Sequence, residues 1–258
     1  MLARTWLVSC LIELGQFDEA AKCADEAVRI AEALGEPWSR SDASLGLGVY
    51  HLRRSEPAAA ARVLERGTDI CQRYGIAVWL SPLQSSLGYT WALTGRTHEG
   101  VALLEGALER ASFTGLRFYH TLAEIWLAEA LLLEGRPAEA ASRATAALEL
   151  AVRYREAGNQ AYALRLLAQL APLGGPDGSM HPQAVARLRL ALTLATERGM
   201  RPLAAHCQLD LARILATTGE GNEARKLLDS ALNVFRELGL APDALKVEQA
   251  QRNLGLRA

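Results

Sequence analysis

The 258-residue sequence predicts an all-α protein, an α-solenoid of about six antiparallel helix pairs followed by a C-terminal capping helix. Three observations support this fold class. Apolar residues recur at the spacing of one helical face, key glycines recur about every 40 residues, and alternating β-branched runs are nearly absent. Since one helix pair cannot bury its apolar faces alone, we expect each pair to stack on the next.

The clearest unit spans residues 200–240. Gly219 is expected to end its first helix and Gly239 its second, because glycine accepts the left-handed conformation found at helix ends. The first helix carries one apolar stripe, formed by Leu203, Cys207, Leu211, Ile214 and Leu215. The unit is therefore predicted to be two helices joined by a tight turn.

Equivalent positions recur upstream. The expected ends of second helices are Gly35, Gly75, Gly115, Gly158, Gly199 and Gly239, at steps of 40, 40, 43, 41 and 40. The expected internal turns are Gly15, Ser55, Gly95, Gly135 and Gly219, at steps of 40, 40, 40 and 84, the last interpreted as two periods plus four residues. Small residues follow at Ala20, Ala60, Gly100, Ala140, Ala184 and Ala224, and seven positions later at Ala27, Gly67, Ala107, Ala147, Ala191 and Ala231. We predict a seam of small residues along which helices approach closely.

The repeats are expected at residues 1–35, 36–75, 76–115, 116–158, 159–199 and 200–239, with a capping helix at 241–255, in a single domain of residues 1–258. Pro57 and Pro137 open second helices, since a missing amide costs nothing in the first helical turn. Pro82 is expected to delay or kink the first helix of the third repeat. Segment 172–182, rich in proline and glycine, is either a binding loop or hinge, or a lengthened turn.

The first helix, residues 1–14, is about four residues shorter than its counterparts and has no polar cap before it. We therefore expect the chain to be the C-terminal part of a longer protein. The alternative is a short first helix that begins at Met1. The exposed end of this repeat offers a surface for self-association.

Charge and composition limit the function classes. The chain has 28 basic and 29 acidic residues, so we expect no nucleic-acid binding by this domain. No apolar run reaches the roughly 18 residues of a membrane span, so we expect no membrane partner. The cysteines, Cys10, Cys23, Cys71 and Cys207, lack metal-ligand spacing and are expected to be reduced thiols of a cytoplasmic protein.

No motif for catalysis stands out. The segment GGPDGSM, residues 174–180, lacks the lysine of a phosphate-binding loop. No two histidines have metal-ligand spacing, and His206 and Cys207 point in different directions because adjacent helical residues do not share a face. We expect no enzyme activity, no cofactor and no metal.

The repeat resembles a known family. Leu87-Gly88, Trp91 and Gly95, followed by Gly100 and Ala107, resemble the tetratricopeptide repeat, although the period exceeds the usual ~34 residues. The resemblance implies a right-handed superhelix whose concave face is lined by first helices. Residues 137–240 are also similar to the C-terminal repeat region of bacterial signalling proteins, in which a P-loop ATPase module is fused to a nucleotide cyclase or a helix-turn-helix domain.

Carried onto this sequence, the resemblance assigns one side of each first helix to a groove that binds a protein or peptide partner. We name the candidate binding residues on that side the first-helix face: Trp38, Asp42, Tyr89, Phe118, Glu129, Tyr162, Arg165, Gln169, His206 and Arg213. A few aromatic anchors among sparse charges suit recognition of a peptide or helix. Trp6, Trp91 and Trp126 are expected instead to pack between repeats.

We therefore expect a non-catalytic protein–protein interaction scaffold, the C-terminal regulatory part of a larger bacterial signalling protein. The alternative is a small-molecule effector-sensing domain of a transcriptional regulator. That alternative predicts an enclosed apolar pocket with a few convergent polar groups.

Overall fold

The computed structural model describes residues 2–115, 119–171 and 181–255, and within these ranges the regular structure is entirely helical, as predicted. The helices are α1 (Leu2–Leu14), α2 (Phe17–Leu34), α3 (Pro37–Arg53), α4 (Pro57–Tyr74), α5 (Ala77–Leu93), α6 (Thr97–Thr114), α7 (His120–Leu133), α8 (Pro137–Arg153), α9 (Ala157–Gln169), α10 (His181–Glu197), α11 (Arg201–Thr217), α12 (Gly221–Glu237) and α13 (Ala241–Asn253). Most of segment 172–182 lies outside the described residues.

The turns between paired helices occupy the predicted positions. Gly15, Gly95, Gly135 and Gly219 all have positive φ, and Ser55 takes their place in the second repeat with a φ of 59°. A non-glycine residue is strained in this conformation because its Cβ approaches the following carbonyl oxygen. The left-handed turn therefore recurs at this position of the repeat even where the residue is not glycine.

The predicted end of the fourth repeat at Gly158 is wrong. α8 ends at Arg153, and Arg155 is the left-handed residue, with a φ of 57°. The amide of Glu156 donates to the carbonyl of Ala151 at 2.8 Å, a bond that closes the helix end. Gly158 lies instead in the first turn of α9, where a Cβ would come within 3.2 Å of the Met200 side chain.

This correction makes the period more regular. The left-handed residues that follow second helices are Gly35, Gly75, Gly115, Arg155, Gly199 and Gly239, at steps of 40, 40, 40, 44 and 40. The four additional residues therefore fall in the fifth repeat, between Arg155 and Gly199.

Pro82 does not delay its helix, because α5 begins at Ala77 and contains Pro82 in its second turn. A proline there removes only the amide that would donate to Val78, and the following amides continue the helix. Ser86 donates its hydroxyl to the carbonyl of Pro82 at 2.9 Å. Of the two expected effects, the late helix start is wrong, and the kink at Pro82 stays a prediction.

The chain divides into two compact units. Unit 1 comprises Met1–Ile12 and Gln16–Arg143, and unit 2 comprises Glu13–Gly15 and Ala144–Ala258. In unit 1, α3 packs with α4 and α5 with α6, and the first helices α3, α5 and α7 also contact one another in chain order. In unit 2, α9 packs with α10, α11 with α12, and α13 covers α12. The single continuous domain stays a prediction.

The predicted seam of small residues is buried in both units. In unit 1, Ala20, Ala60, Ala107 and Ala140 are inaccessible to solvent. A close approach joins α5 and α6, where a Cβ on Gly100 would lie 2.4 Å from the carbonyl oxygen of Gly88. In unit 2, the equivalent positions Ala147, Ala184, Ala191, Ala224 and Ala231 are buried in the same way. Small side chains therefore set the distance between the helices.

Candidate functional site on the first helices

The first-helix face belongs to both units, and each part is described by itself. Trp38, Asp42, Tyr89 and Glu129 lie in unit 1. Phe118 lies outside the described residues. In unit 2, the face comprises Tyr162, Arg165 and Gln169 on α9, and His206 and Arg213 on α11.

Asp42 is not part of an accessible face. Its side chain is fully buried in unit 1, and neither carboxylate oxygen has a hydrogen-bond partner. The Thr5 hydroxyl donates at 3.3 Å to the main-chain oxygen of Asp42. Burial raises the pKa of the Asp42 carboxyl above its ordinary value, and the nearby Thr5 hydroxyl partly offsets this shift. A partner cannot contact this carboxyl unless α3 moves.

An aromatic cluster occupies the middle of the face in unit 1. The Tyr89 ring stacks on Trp126, with centroids 5.3 Å apart and an interplanar angle of 7°. Tyr119 packs against the same indole at 5.8 Å. The Tyr89 hydroxyl donates to the carboxylate of Glu129, so a residue of α5 is bonded to a residue of α7. Trp126 is buried, whereas Tyr89 and Glu129 remain half-buried.

The tryptophan predictions are confirmed in part. Trp126 is buried as expected, but Trp6 is 41% exposed, so its assignment to the core was wrong. Trp91 is half-buried, with its indole nitrogen donating to Glu65 at 3.2 Å and the Arg96 guanidinium 3.9 Å above its ring. Trp38 is exposed and makes an edge contact with buried Trp79, with centroids 5.3 Å apart.

In unit 2, three predicted residues converge on an acid that the sequence analysis did not select. Asp210 of α11 is buried, and its Oδ2 atom accepts hydrogen bonds from Arg165 Nε and Gln169 Nε2 of α9, each at 2.7 Å. Arg213 lies one turn further along α11, 3.8 Å from Oδ1. Charge-assisted bonds of this length fix the donor side chains. Gln169 and Arg213 remain exposed beside the pair.

His206 lies next to this network. Its ring packs on Phe235 with centroids 4.8 Å apart, and its Nε2 is 3.9 Å from Asp243. Burial and the Arg165 guanidinium lower the pKa of His206 to about 3, against the opposing effect of Asp243. The imidazole is therefore neutral at physiological pH. Burial raises the pKa of the adjacent Cys207 thiol to about 12, so this thiol is not a nucleophile.

Two functional candidates were missed from sequence, Asp210 and Trp126. Asp210 interrupts the apolar run of α11 and lies four residues after His206 and three before Arg213, a spacing that places the three on neighbouring positions of one helical side. That spacing was a usable signal. No signal in the sequence predicts the contact between Trp126 and Tyr89, because the two residues are on different helices.

Other chemistry is not assembled in the described part of the chain. Across residues 2–115, 119–171 and 181–255, no group of three or more histidine, cysteine or acidic side chains is arranged to hold a metal ion. Within the same ranges, no helix combines the length and apolar character needed to cross a bilayer. His51 is half-buried and hydrogen-bonded to Glu56 at 2.8 Å.

Comparison with known proteins agrees with this geometry. Models of the tetratricopeptide repeat match residues 1–73 and 204–238. No curated protein shows significant sequence similarity to the chain. These two segments are therefore similar to tetratricopeptide repeats, and the helices around them recur with the same frame.

Solved structures share the fold. The complex of NprR with its cognate peptide NprX aligns over 99% of this chain and 73% of NprR, with a TM-score of 0.75 and 13% identity. A Rap protein complexed with Competence and Sporulation Factor aligns over 95% of this chain and 79% of the other, with a TM-score of 0.68 and 13% identity.

A third structure is the signal-transduction ATPase with a tetratricopeptide-repeat sensor, PH0952 from Pyrococcus horikoshii. It aligns over 97% of this chain but 38% of its own length, with a TM-score of 0.57 and 15% identity. At these identities the likeness concerns the fold alone. The segments matched by the tetratricopeptide-repeat models belong to a chain whose helix-end residues recur at about 40 positions.

Proposed function

We propose that the chain is a non-catalytic interaction module whose first helices bind a peptide or an extended partner segment. The observation that carries this proposal is the Asp210 network of unit 2. It joins α9 to α11 and holds polar side chains in fixed positions at the surface. Preorganised donors lower the entropy that binding would otherwise cost.

The aromatic cluster of unit 1 supports the same proposal. Tyr89 is held by both its stacked neighbour Trp126 and its hydrogen bond to Glu129. Rigid aromatic side chains are frequent anchors in protein interfaces. NprR, which shares the fold, was solved with its cognate peptide NprX, and a Rap protein of the same fold was solved with Competence and Sporulation Factor.

The location of the module is part of the proposal. We place it in the C-terminal regulatory region of a larger, cytoplasmic bacterial signalling protein. The sensor of the PH0952 ATPase supports this placement, since it presents the same fold within a longer chain. Self-association through the first repeat stays a prediction.

The test uses peptides selected on the wild-type protein from a displayed random library. Gln169→Ala combined with Arg213→Ala should weaken binding at least about tenfold, because both side chains are exposed at the Asp210 network. The matched control is Arg225→Ala with Lys226→Ala on exposed positions of α12, which should leave affinity unchanged. Circular dichroism checks that the helices are retained. Equal affinity of both double variants for every selected peptide would refute the proposal.

A further inference from the structure

A second candidate site lies in unit 1, away from the first-helix face. A cavity of about 230 Å³ opens between α2, α3 and α4. Its apolar wall consists of half-buried Val28, Leu47, Val63 and Ile70. Val28 also packs on a buried cluster that contains Ala43, so the wall continues into the core. An apolar surface is thus left open to solvent.

Three arginines surround this apolar surface. Arg40 comes from α3, and Arg62 and Arg66 come from α4. Within the described part of the chain, none of the three side chains makes a hydrogen bond or an ion pair, and Glu32 is the acidic residue at the rim. Arg62 and Arg66 are four residues apart on one helix, where like charges repel each other. An anionic occupant would relieve that repulsion.

The cavity and the first-helix face use different sides of α3. Arg40, Ser44 and Leu47 follow each other at steps of four and three, so they form one stripe along the helix. At about 100° per residue, this stripe is on nearly the opposite side from Asp42. The other walls come from the second helices α2 and α4. The cavity therefore shares none of its lining side chains with the first-helix face.

We propose that this cavity binds a peptide segment that inserts one large apolar side chain between acidic neighbours. A cavity of roughly 150 Å³ holds a benzene ring, so the volume here suffices for a leucine or phenylalanine side chain. Carboxylates match the planar fork of a guanidinium group and accept two hydrogen bonds from it. Three guanidinium groups from two helices call for more than one carboxylate, which an acidic peptide supplies and a simple fatty acid does not.

The probes are three fluorescein-labelled hexapeptides, EELFEE, KKLFKK and EESSEE, titrated with the full chain and followed by fluorescence anisotropy. EELFEE should bind at least about tenfold more tightly than the other two, because only it combines carboxylates with an apolar side chain. Its affinity should fall when salt is raised from about 50 mM to about 500 mM, since exposed charges are screened. Equal binding of EESSEE, or tighter binding of KKLFKK, would overturn the proposal.

The variants locate the binding. Arg62→Glu with Arg66→Glu should weaken EELFEE at least about tenfold, while Arg225→Glu with Lys226→Glu, the same charge change on exposed positions of unit 2, should leave it unchanged. Equal losses in both double variants would show a nonspecific charge effect and overturn the proposal.

Two further experiments test the apolar wall and the class of ligand. Val63→Trp retains the arginines and fills the cavity, so it should also weaken EELFEE; if that variant does not fold, the double variant of exposed Arg62 and Arg66 decides. Octanoate is the small-anion competitor. Saturable binding of octanoate in the absence of EELFEE binding would assign the cavity to a small organic anion and overturn the peptide proposal.

Discussion

The substitution Gly100→Ala tests the close approach of helices along the seam. A Cβ at residue 100 would lie 2.4 Å from the carbonyl oxygen of Gly88 and 2.9 Å from the amide nitrogen of Ala92. Both are backbone atoms, so no side-chain rotation relieves the contact, and α5 and α6 must separate. Overpacking costs about 1–3 kcal/mol. The better helix propensity of alanine returns about 1 kcal/mol. We expect a net loss of up to about 2 kcal/mol.

The matched control is Gly106→Ala on the same helix. The nearest atom to a Cβ there is the tip of the Arg110 side chain at 3.4 Å, which can move away. This variant should gain about 0.5–1 kcal/mol from helix propensity alone. Urea unfolding followed by circular dichroism measures both midpoints, with the slopes compared because repeat proteins can depart from two-state behaviour. If the unfolding midpoints of both variants shift in the same direction, the close approach of α5 and α6 along the seam is refuted.

The remaining predictions concern single buried or strained groups. Asp42→Asn should stabilise the protein at pH 7, because burial raises the pKa of this carboxyl in the folded state. Above the unfolded-state pKa of about 3.9, ionisation of the carboxyl therefore opposes folding. Thermal melts should show that the gain in stability disappears near pH 4, and a gain that persists there would contradict this cause. Lowering the pH from 7 to 5 should destabilise the wild type by up to about 2 kcal/mol through His206, because the unfolded chain binds a proton near pH 6.5 that the folded ring, with its pKa of about 3, does not. This value is an upper one, because a quarter of the side chain is exposed. His206→Gln should reduce the loss of unfolding free energy between pH 7 and pH 5, measured by urea unfolding. If the variant loses as much stability as the wild type, His206 is not the source. Arg155→Gly should raise the free energy of unfolding by about 1 kcal/mol, because it removes the strain of a non-glycine residue in the left-handed conformation. A loss of stability measured by calorimetry would show that the Arg155 side chain stabilises the fold by more than its backbone strain costs.

The helix pairs could be predicted from sequence because their signals are local and repeated. A glycine at Gly95 or Gly135 stops a helix by its own conformational freedom, and alanines at equivalent positions mark the buried seam. The end of the second helix in the fourth repeat was predicted wrongly, because Arg155 takes the left-handed conformation that glycine usually adopts. Gly158, three residues later, serves close packing against Met200 instead.

The candidate site was less predictable because it depends on contacts between helices. A helical pattern places Asp42 and His206 at equivalent repeat positions, yet Asp42 is fully buried and His206 is a quarter exposed. The difference lies in the neighbouring helix, where Thr5 lies next to Asp42. The Asp210 network likewise joins residues more than 40 positions apart in the chain. Periodicity assigns a residue to a side of its helix but does not specify what covers that side.

The most direct test of the account is a crystal structure of the protein with a peptide selected on the wild type. The account predicts that the peptide lies along α9 and α11, within hydrogen-bonding distance of Gln169 or Arg213 and next to the Asp210 network. A well-ordered peptide that lies outside the cavity between α2, α3 and α4, and contacts neither α9, α11 nor Tyr89, would contradict it.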